Sequence, residues 1–495
     1  MSKKYKFSIV MAVYNVEKYI EEAIDSVIQQ SLGFENNVQL ILVDDGSNDN
    51  SANICLKFQE EYPDNILFLS RHHKGKSHVR NLGLEYAEGE YINFLDSDDK
   101  LSNNALEEVD NFFKEHESVN IVSIPLIFYP SVTKNHPLND KFIKNNVINV
   151  FEQYNFPQLS GPSCFIRRNA IKNHTFLPNL NMAEDAVFVN KILIDEENIG
   201  FLNTTSYLYR KRKDSTLHKS EFKKYFYLDK LIYFHEELIN YSLEKLGYVA
   251  KFIQYVIVYD LQWYYAKPQI KEVLSKDEYN LFMKKITEIL SHIDQDIILN
   301  HEYIRSNDKK NFLLFLKNGC RFNINVKGNL VTLNTDDYLI NKLNNYKLWF
   351  NNIDIEKDYL IISGNFTSNC DYKYLKVKCL KNNDMAKEII SEFNRSLSKK
   401  INCLGIDWRY VYCFDFKIPL EKNEEFDLNF IINYNENNQN ANIKGHLKFE
   451  ESICEDIKNT IKKDSKKIYY DSDKIIIENT SMKNKFKKVF KKRLN

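Results

Sequence analysis

Four short stretches of this sequence hold the residue types that chemistry needs. The first, Asp44-Asp45-Gly46-Ser47, directly follows the apolar run Val38–Val43. A carboxylate there can accept hydrogen bonds from a nucleobase or ribose, Gly46 permits a tight turn, and Ser47 can cap the next helix. A plain turn explains the same residues equally well. The second, Asp96-Ser97-Asp98-Asp99, follows Tyr91–Leu95. Three carboxylates in four residues at the end of a buried strand repel one another, and a cation relieves this. Mg²⁺ and Mn²⁺ prefer oxygen ligands and bridge one or two carboxylates to substrate phosphates. An acidic turn leading into a helix from Asn103 is the competing reading. The third, Lys74-Gly75-Lys76-Ser77-His78-Val79-Arg80-Asn81, offers cations and backbone N–H groups near a helix N-terminus, both suited to a diphosphate or ribose. It lacks the P-loop spacing, and alone it reads as a solvated basic loop. The fourth, Glu184-Asp185, precedes an apolar helical pattern. One acid there can act as a general base toward an acceptor hydroxyl. Taken in isolation, two acids favouring a helix N-terminus is the preferred reading.

The elements that must position these residues are legible as periodicity. Phe7–Val13, Val38–Val43, Ile66–Leu69, Tyr91–Leu95 and Ile121–Ile127 are apolar, β-rich runs. Between them lie helical patterns. Val16, Ile20, Ala23, Ile24, Val27 and Ile28 form one, with Asn15 as its expected N-cap; Ser77–Ala87 forms another, with Gly89 as its expected C′ residue. Apolar strands alternating with helices predict a mainly parallel α/β sheet covered on both faces, which binds ligands at the carboxyl ends of its strands. The acidic clusters stand where strands stop. From about Tyr225 to His292 the pattern is helical, with a capping box at Ser275 and Glu278 and an apolar face of Phe282, Ile286, Leu290 and Ile293. From Phe322 the period becomes two. Short runs at Tyr359–Ile362, Tyr374–Cys379, Tyr410–Phe416 and Phe426–Ile432 predict an antiparallel, sandwich-like β domain.

Composition bounds these readings. A chain of 495 residues implies two or three domains. Lys+Arg and Asp+Glu both total 68, so no global charge attracts nucleic acid. Eight dispersed cysteines without a C-x-x-C pair argue against a zinc site and for reduced cytoplasmic thiols. The N-terminus lacks a secretory pattern, and no run of roughly 18 apolar residues predicts a membrane span.

Taken together, the motifs resemble family 2 glycosyltransferases of the GT-A fold over about residues 5–220. The matching residues are Ser8-Ile9-Val10-Met11-Ala12-Val13-Tyr14-Asn15, Val43-Asp44-Asp45-Gly46-Ser47, Arg80-Asn81, Asp96-Ser97-Asp98-Asp99 and Glu184-Asp185. The resemblance implies a nucleotide pocket lined by Ala12, Val13 and Tyr14, beside Asp44, with Asp45 bonded to the base and Arg80 holding the nucleotide. Asp96 and Asp98 match the family's D-x-D element: Asp98 as direct ligand to Mn²⁺ or Mg²⁺, Asp96 toward the ribose or the metal shell. Asp185 matches the catalytic base, with Glu184 beside it. Transfer is expected to invert the anomeric centre by single displacement, through an oxocarbenium-like transition state. The stretch Arg210–His218 resembles a loop that closes over the diphosphate, with Arg212 on phosphate and His218 in the metal shell; a basic surface loop fits equally. UDP is the expected nucleotide of the donor.

The layout also resembles wall-teichoic-acid and capsule glycosyltransferases with C-terminal accessory domains. That implies a catalytic domain over 1–222, helices over 223–315, a β-rich domain over 316–455, a basic tail over 456–495, and a glycan or polyol-phosphate polymer as acceptor. In such relatives the accessory domains bind polymer or support homo-oligomers. From Asn479 the tail has seven Lys/Arg and no acid. Met482, Phe486, Val489, Phe490 and Leu494 fall on one helical face, as in an element lying on the inner membrane surface. A solvated tail is the alternative. A nucleotidyltransferase is disfavoured because no Gly-rich, basic loop follows the first strand. A carbohydrate-binding protein with a degenerate catalytic domain remains the second reading.

Overall fold

The computed structural model describes residues 5–130, 136–143, 146–180, 182–212, 220–335, 338–422, 424–437, 439–449, 461–463, 466–471 and 473–479. The chain divides into two compact units, Met1–Tyr265 with Gln269–Lys317, and Ala266–Pro268 with Asn318–Asn495.

The first unit is built on strands β1 (Phe7–Val13), β2 (Val38–Asp44), β3 (Ile66–Ser70) and β4 (Tyr91–Asp96). They lie side by side in the order β3-β2-β1-β4, all parallel. Parallel strands buried on both faces need apolar residues throughout, and every residue of β2 is buried. The chain runs outward from β1 to β3 and then returns to the other side of β1 for β4. This reversal opens a crevice at the carboxyl ends of β1 and β4. Register fixes what faces it: Val13 pairs with Asp44, and Ala12 with Asp96.

Helices cover both faces. Helix α1 (Ile20–Ile28) buries Ile20, Ala23, Ile24 and Val27, each larger side chain contributing about 2 kcal/mol. Helices α2 (Phe34–Asn37), α3 (Ser51–Glu61) and α4 (Lys76–Glu85) complete the β1–β4 layer. Two capping expectations fail. Asn15 adopts a left-handed backbone, and its Oδ1 accepts from Asn48 N at 2.8 Å. Ser47 Oγ accepts from Asn15 N at 3.0 Å rather than capping α3. Both residues tie the β1 and β2 loops together. Gly89 is not a helix cap either, because α4 ends at Glu85. A Cβ at Gly89 would stand 2.4 Å from Ser8 N, so glycine is required by close backbone approach.

Beyond β4, β5 (Lys100–Leu101) and α5 (Ala105–Glu115) lead to β6 (Ile121–Ser123) and β7 (Leu126–Tyr129). The expected single strand Ile121–Ile127 is therefore two, in different sheets. Pro125 lies between them and supplies no N–H to either ladder. Strands β8 (Asn146–Asn149), β9 (Cys164–Arg167) and β10 (Asn198–Phe201) extend the main sheet to eight, in the order β3-β2-β1-β4-β9-β6-β10-β8. A three-stranded sheet, β5-β11-β7, adds β11 (Tyr207–Arg210). It carries Arg210 to the Asp96–Asp99 loop. The four-residue α6 (Arg168–Ile171) precedes α7 (Glu184–Glu196), which carries the fourth acidic pair.

The helical residues belong to this unit. Helix Glu237–Leu246 holds α7 through Lys191–Glu237 and through Tyr241, whose hydroxyl donates to Asp195 at 2.9 Å. The Ser275–Glu278 capping box is present in both directions. Among the described residues no helix is long and apolar enough to cross a membrane.

The second unit is β-rich, as its period-two pattern predicts. Strands Tyr359–Ser368, Leu375–Lys381, Ile406–Pro419 and Phe426–Glu436 build two sheets around one apolar core, joined by a small three-stranded sheet. Pairing is antiparallel except where Lys347–Glu356 runs parallel to His446–Phe449. Within the expected tail 456–495, Ile461–Lys463, Lys466–Asp471 and Lys474–Asn479 are strands of the larger sheet of this unit, while residues 480–495, with the basic amphipathic pattern, lie outside the described residues.

Candidate active site

The crevice at the carboxyl ends of β1 and β4 gathers carboxylates from β4 and α7 around two cations from α4. Arg80 is the hinge of the cluster. Its side chain is 1% exposed, its Nη1 donates to Glu184 Oε1 at 2.8 Å, and its Nη2 donates to Asp96 Oδ1 at 2.8 Å. Its guanidinium also lies 5.2 Å from the Phe176 ring. Lys76, one turn earlier on α4, reaches Asp96 Oδ1 at 2.9 Å and Glu184 Oε1 at 3.7 Å with 46% of its side chain exposed. Burial opposes the charge of Asp96, but Lys76 and Arg80 outweigh it and hold its carboxyl below the usual range.

Asp98 and Asp99 are less compensated. Burial first, then the charge of Asp96, pushes the Asp98 carboxyl up; Arg212 and Lys76 offset this in part. Arg212 Nη2 sits 2.5 Å from Asp98 Oδ2. Burial, followed by Asp98 and Asp96, pushes Asp99 up to about 8. Asp99 accepts from Tyr207 Oη at 2.7 Å and from Arg210 N at 2.7 Å, while Arg210 Nε donates to the Asp98 carbonyl at 2.8 Å. Asp99 thus staples β11 to the loop and aims Asp98.

Asp185 stands in the first turn of α7. Its Oδ2 accepts from Gly161 N at 3.0 Å and its Oδ1 from Ala186 N at 3.0 Å. Burial, then the neighbouring Glu184 charge, raises its carboxyl to about 6, against the opposing pull of Arg80 and Lys76. A carboxylate oriented by two amides, and ionised just below neutral pH, suits a general base. Gly161 is the contact that permits it: a Cβ there would lie 2.7 Å from Asp185 Cβ. Gly161→Ala is expected to displace Asp185 and lower kcat about tenfold or more, with a much smaller change in KM for the donor; steady-state kinetics on both substrates checks this.

Several expected site residues also make contacts within the protein. Asp44 accepts from Gly46 N at 3.1 Å and Ser47 N at 3.2 Å, so its carboxylate shapes the turn. Asp45, expected on a base, accepts from Lys74 N at 2.8 Å and Gly75 N at 3.0 Å, and its Oδ2 lies 2.8 Å from His73 Nδ1. It anchors the basic loop before α4. Arg80, expected on the nucleotide, is buried and pairs with Asp96 and Glu184. Glu184, placed beside the base, is buried and paired with Arg80. Val13 is buried, and its carbonyl accepts from Asp45 N at 2.9 Å. Ala12 is partly exposed. Tyr14 is 43% exposed and stacks on His73 with centroids 4.6 Å apart, which leaves an aromatic surface at the crevice rim. His218 lies outside the described residues.

Lys76, Asp99 and Arg210 fell within the stretches named from sequence but without individual roles, and Tyr207 and Gly161 were not named at all. A lysine one helical turn before Arg80 was the available signal for Lys76. None existed for Gly161 or Tyr207, whose partners are remote in the chain.

The residues present fit one divalent cation. Asp96 and Asp98 stand two residues apart at the end of β4, and the Asp98 carboxyl, raised by burial first and then by Asp96, is only partly compensated by Arg212 and Lys76. No three His, Cys, Asp or Glu side chains among the described residues converge as a protein-only metal cage. Two carboxylates completed by substrate oxygens are the usual arrangement for Mg²⁺ or Mn²⁺.

Comparison with known proteins agrees with this architecture. The glycosyl transferase family 2 model matches residues 8–175. Over 302 residues the chain is 39% identical to the minor teichoic acid biosynthesis protein GgaB of Bacillus subtilis (strain 168), covering 60% of this chain and 33% of GgaB. It thus spans about a third of GgaB's length. Over 301 residues it is 36% identical to the minor teichoic acid biosynthesis protein GgaA of the same organism, covering 59% of this chain and 68% of GgaA. The crystal structure of S. aureus TarS matches 97% of this chain and 86% of that one with a TM-score of 0.50 at 15% identity, a likeness of fold. The first unit is therefore a GT-A-like mixed α/β domain followed by further β-rich structure. By the extent of its identity with GgaA, and by the family match across β1 to β4 and their motifs, this chain belongs to glycosyl transferase family 2.

Proposed function

We propose that this protein transfers a sugar from a nucleotide-sugar, with a UDP-sugar as first choice, to a hydroxyl of a teichoic-acid-type or related surface polymer, with inversion. The observation that carries this reading is the convergence of a carboxylate poised as base, Asp185, with the Asp96–Asp98 pair and two accessible cations in one crevice. Lys76 and Arg212, with 46% and 24% of their side chains exposed, are placed to meet diphosphate oxygens. Arg80 and Lys76 each pair with both Asp96 and Glu184 and so hold the β4 and α7 acids in one cluster.

The acceptor hydroxyl gives its proton to Asp185 as its oxygen bonds the anomeric carbon. The bond from that carbon to the diphosphate breaks, and the nucleoside diphosphate leaves with the electron pair. The Gly161 and Ala186 amides keep Asp185 aimed without neutralising it. A divalent cation held by Asp98 and Asp96 supplies, when bound, positive charge for the leaving group. The acceptor class is supported by relatives named for minor teichoic acid biosynthesis. Action at the inner membrane face, through the basic tail, belongs to the same reading.

The test is a panel of UDP-, GDP-, dTDP- and CDP-sugars incubated with Mn²⁺ or Mg²⁺, with nucleotide release as readout. One donor is expected to turn over, and Asp98→Asn is expected to lose on the order of a hundredfold or more of that rate. Release that is equal in Asp98→Asn, or independent of added metal, would sink the metal assignment. No release and no nucleotide-induced thermal stabilisation would support the binding-protein alternative.

A further inference from the structure

Behind Asp185 lies a buried polar network that the proposed transfer does not itself use. The segment from Pro157 leads into β9, and its carbonyls are bound by buried side chains from three other elements. Lys141, on the short helix Pro137–Phe142, donates to the Pro157 carbonyl at 3.0 Å. Asn190 of α7 donates to the Gln158 carbonyl at 2.7 Å. Asn93 of β4 donates to the Pro162 and Cys164 carbonyls, each at 2.8 Å. Gln158, only 2% exposed, stands at the centre. Its Oε1 accepts from Lys141 Nζ at 2.6 Å and from Ser123 Oγ at 3.2 Å, and its Nε2 donates to the Ser160 carbonyl at 2.8 Å. An ammonium only donates and a carbonyl only accepts, so the two ends of this amide cannot exchange.

The Ser160–Gly161 peptide carries this order to the site. In a planar trans peptide the C=O and the N–H point in opposite directions. Gln158 Nε2, with Ser163 Oγ at 3.1 Å, holds the Ser160 carbonyl. The Gly161 N–H, on the other side of the same plane, thus points at Asp185 Oδ2, 3.0 Å away. Lys141 is costly to keep in this place. Burial pushes its ammonium down to about 7, and the Cys164 thiol, not a carboxylate, is what opposes the shift. Stability alone favours an apolar side chain there, whereas the network needs its two donated hydrogen bonds. We infer that Gln158, held by Lys141, is a positioning residue for the base: it fixes the Ser160–Gly161 peptide plane and thereby the hydrogen bond that aims Asp185. The inference rests on the proposed reading of Asp185 as base. Both residues are buried, so they act through the peptide and not on substrate.

The experiment compares the full chain with Gln158→Met and Lys141→Met, each alone and combined with Asp185→Asn. Gln158→Met is expected to lower kcat about tenfold, with the donor KM within about twofold of wild type. The acid limb of kcat/KM should move up by about half a unit, because the charged carboxylate loses a hydrogen bond while Glu184, Arg80 and Lys76, the charges facing it, are unchanged. Lys141→Met should act in the same direction and more weakly, since Ser123 still holds Gln158. In the Asp185→Asn background neither change should alter the residual rate by more than about twofold. A merely structural role predicts equal losses in both backgrounds, and that result overturns the inference. So does an unmoved acid limb with unchanged kcat in both variants. If Gln158→Met does not fold, Lys141→Met carries the same tests.

A second readout needs no turnover. Labelling with ¹⁵N-glycine marks 13 backbone amides, and Gly161→Ala identifies the signal of Gly161. Its hydrogen exchange should be about tenfold faster in Gln158→Met than in wild type. Equal exchange in wild type and both variants overturns the inference. If Asp185→Asn keeps the wild-type rate, the reading of Asp185 as base fails, while exchange at Gly161 still judges whether Gln158 fixes that amide.

Discussion

Asp185→Asn is expected to lower kcat about a thousandfold while leaving donor binding within a few-fold of wild type. The amide keeps the side chain's shape, and one oxygen can still accept from Gly161 or Ala186, but the group cannot take a proton. Stability should not fall. The carboxyl is raised to about 6 in the folded chain by burial and by Glu184, above its ordinary value of about 3.9. The unfolded chain therefore binds fewer protons between these values, and ionisation of Asp185 costs folding free energy as pH rises through that window. Replacing it with a neutral amide removes that cost at neutral pH. A thermal melt at pH 7 that matches or exceeds wild type, beside a collapsed kcat, separates loss of the base from loss of fold. The same carboxyl sets the pH profile. In wild type, kcat/KM is expected to fall tenfold per unit below about pH 6, as the base becomes protonated. An acid limb centred near pH 4 would remove the assignment of Asp185 as the titrating base.

Arg80→Met is expected to be the most destabilising single change at the site, on the order of 3–5 kcal/mol. Methionine keeps the aliphatic packing near Phe176 but leaves buried Glu184 and Asp96 to share the half-exposed Lys76. The cost comes from stranded charge rather than from a lost contact. The double variant Arg80→Met with Glu184→Met should consequently be more stable than Arg80→Met, an interaction that a double-mutant cycle reads directly. If the two losses simply add, the buried pair is not coupled and Arg80 acts by packing alone. Turnover should fall in both variants, because the Arg80 bridge between Asp96 and Glu184, the neighbour of Asp185, is lost. Lys76→Met should leave stability nearly unchanged, since that side chain is half-exposed, and it should raise the KM for the donor.

These two outcomes also mark the division between local and tertiary information. Each strand from β1 to β4 was legible because burial on both faces of a parallel sheet demands an uninterrupted apolar run. Helices were legible from their 3.6-residue stripe, and the second unit from period two. The acidic clusters were legible as chemistry because they stand where those runs stop, and open α/β sheets bind ligands there. Errors arose where a backbone request is answered from elsewhere. Asn15 and Ser47 cap nothing because they bind each other's loops, and Gly89 serves a neighbouring strand instead of a helix end. Pro125 divides a run that periodicity alone joins.

Side-chain assignments divided in the same way. Asp185 was marked by its place before an apolar helix and by its motif, and the fold supplies the two amides that aim it. Asp44, Asp45, Arg80 and Glu184 were marked by the same kind of pattern, and the fold adds the contacts they make with the turn, the basic loop and one another. Sequence by itself determined the strand and helix plan, the family motifs and the end of the sheet at which they gather, because these follow from local periodicity and turn chemistry. Only the tertiary structure decided which remote partners those carboxylates take. That choice is made by contacts such as Arg80 with Glu184, 104 residues apart, where register and burial set the partner and short-range pattern carries no record of it.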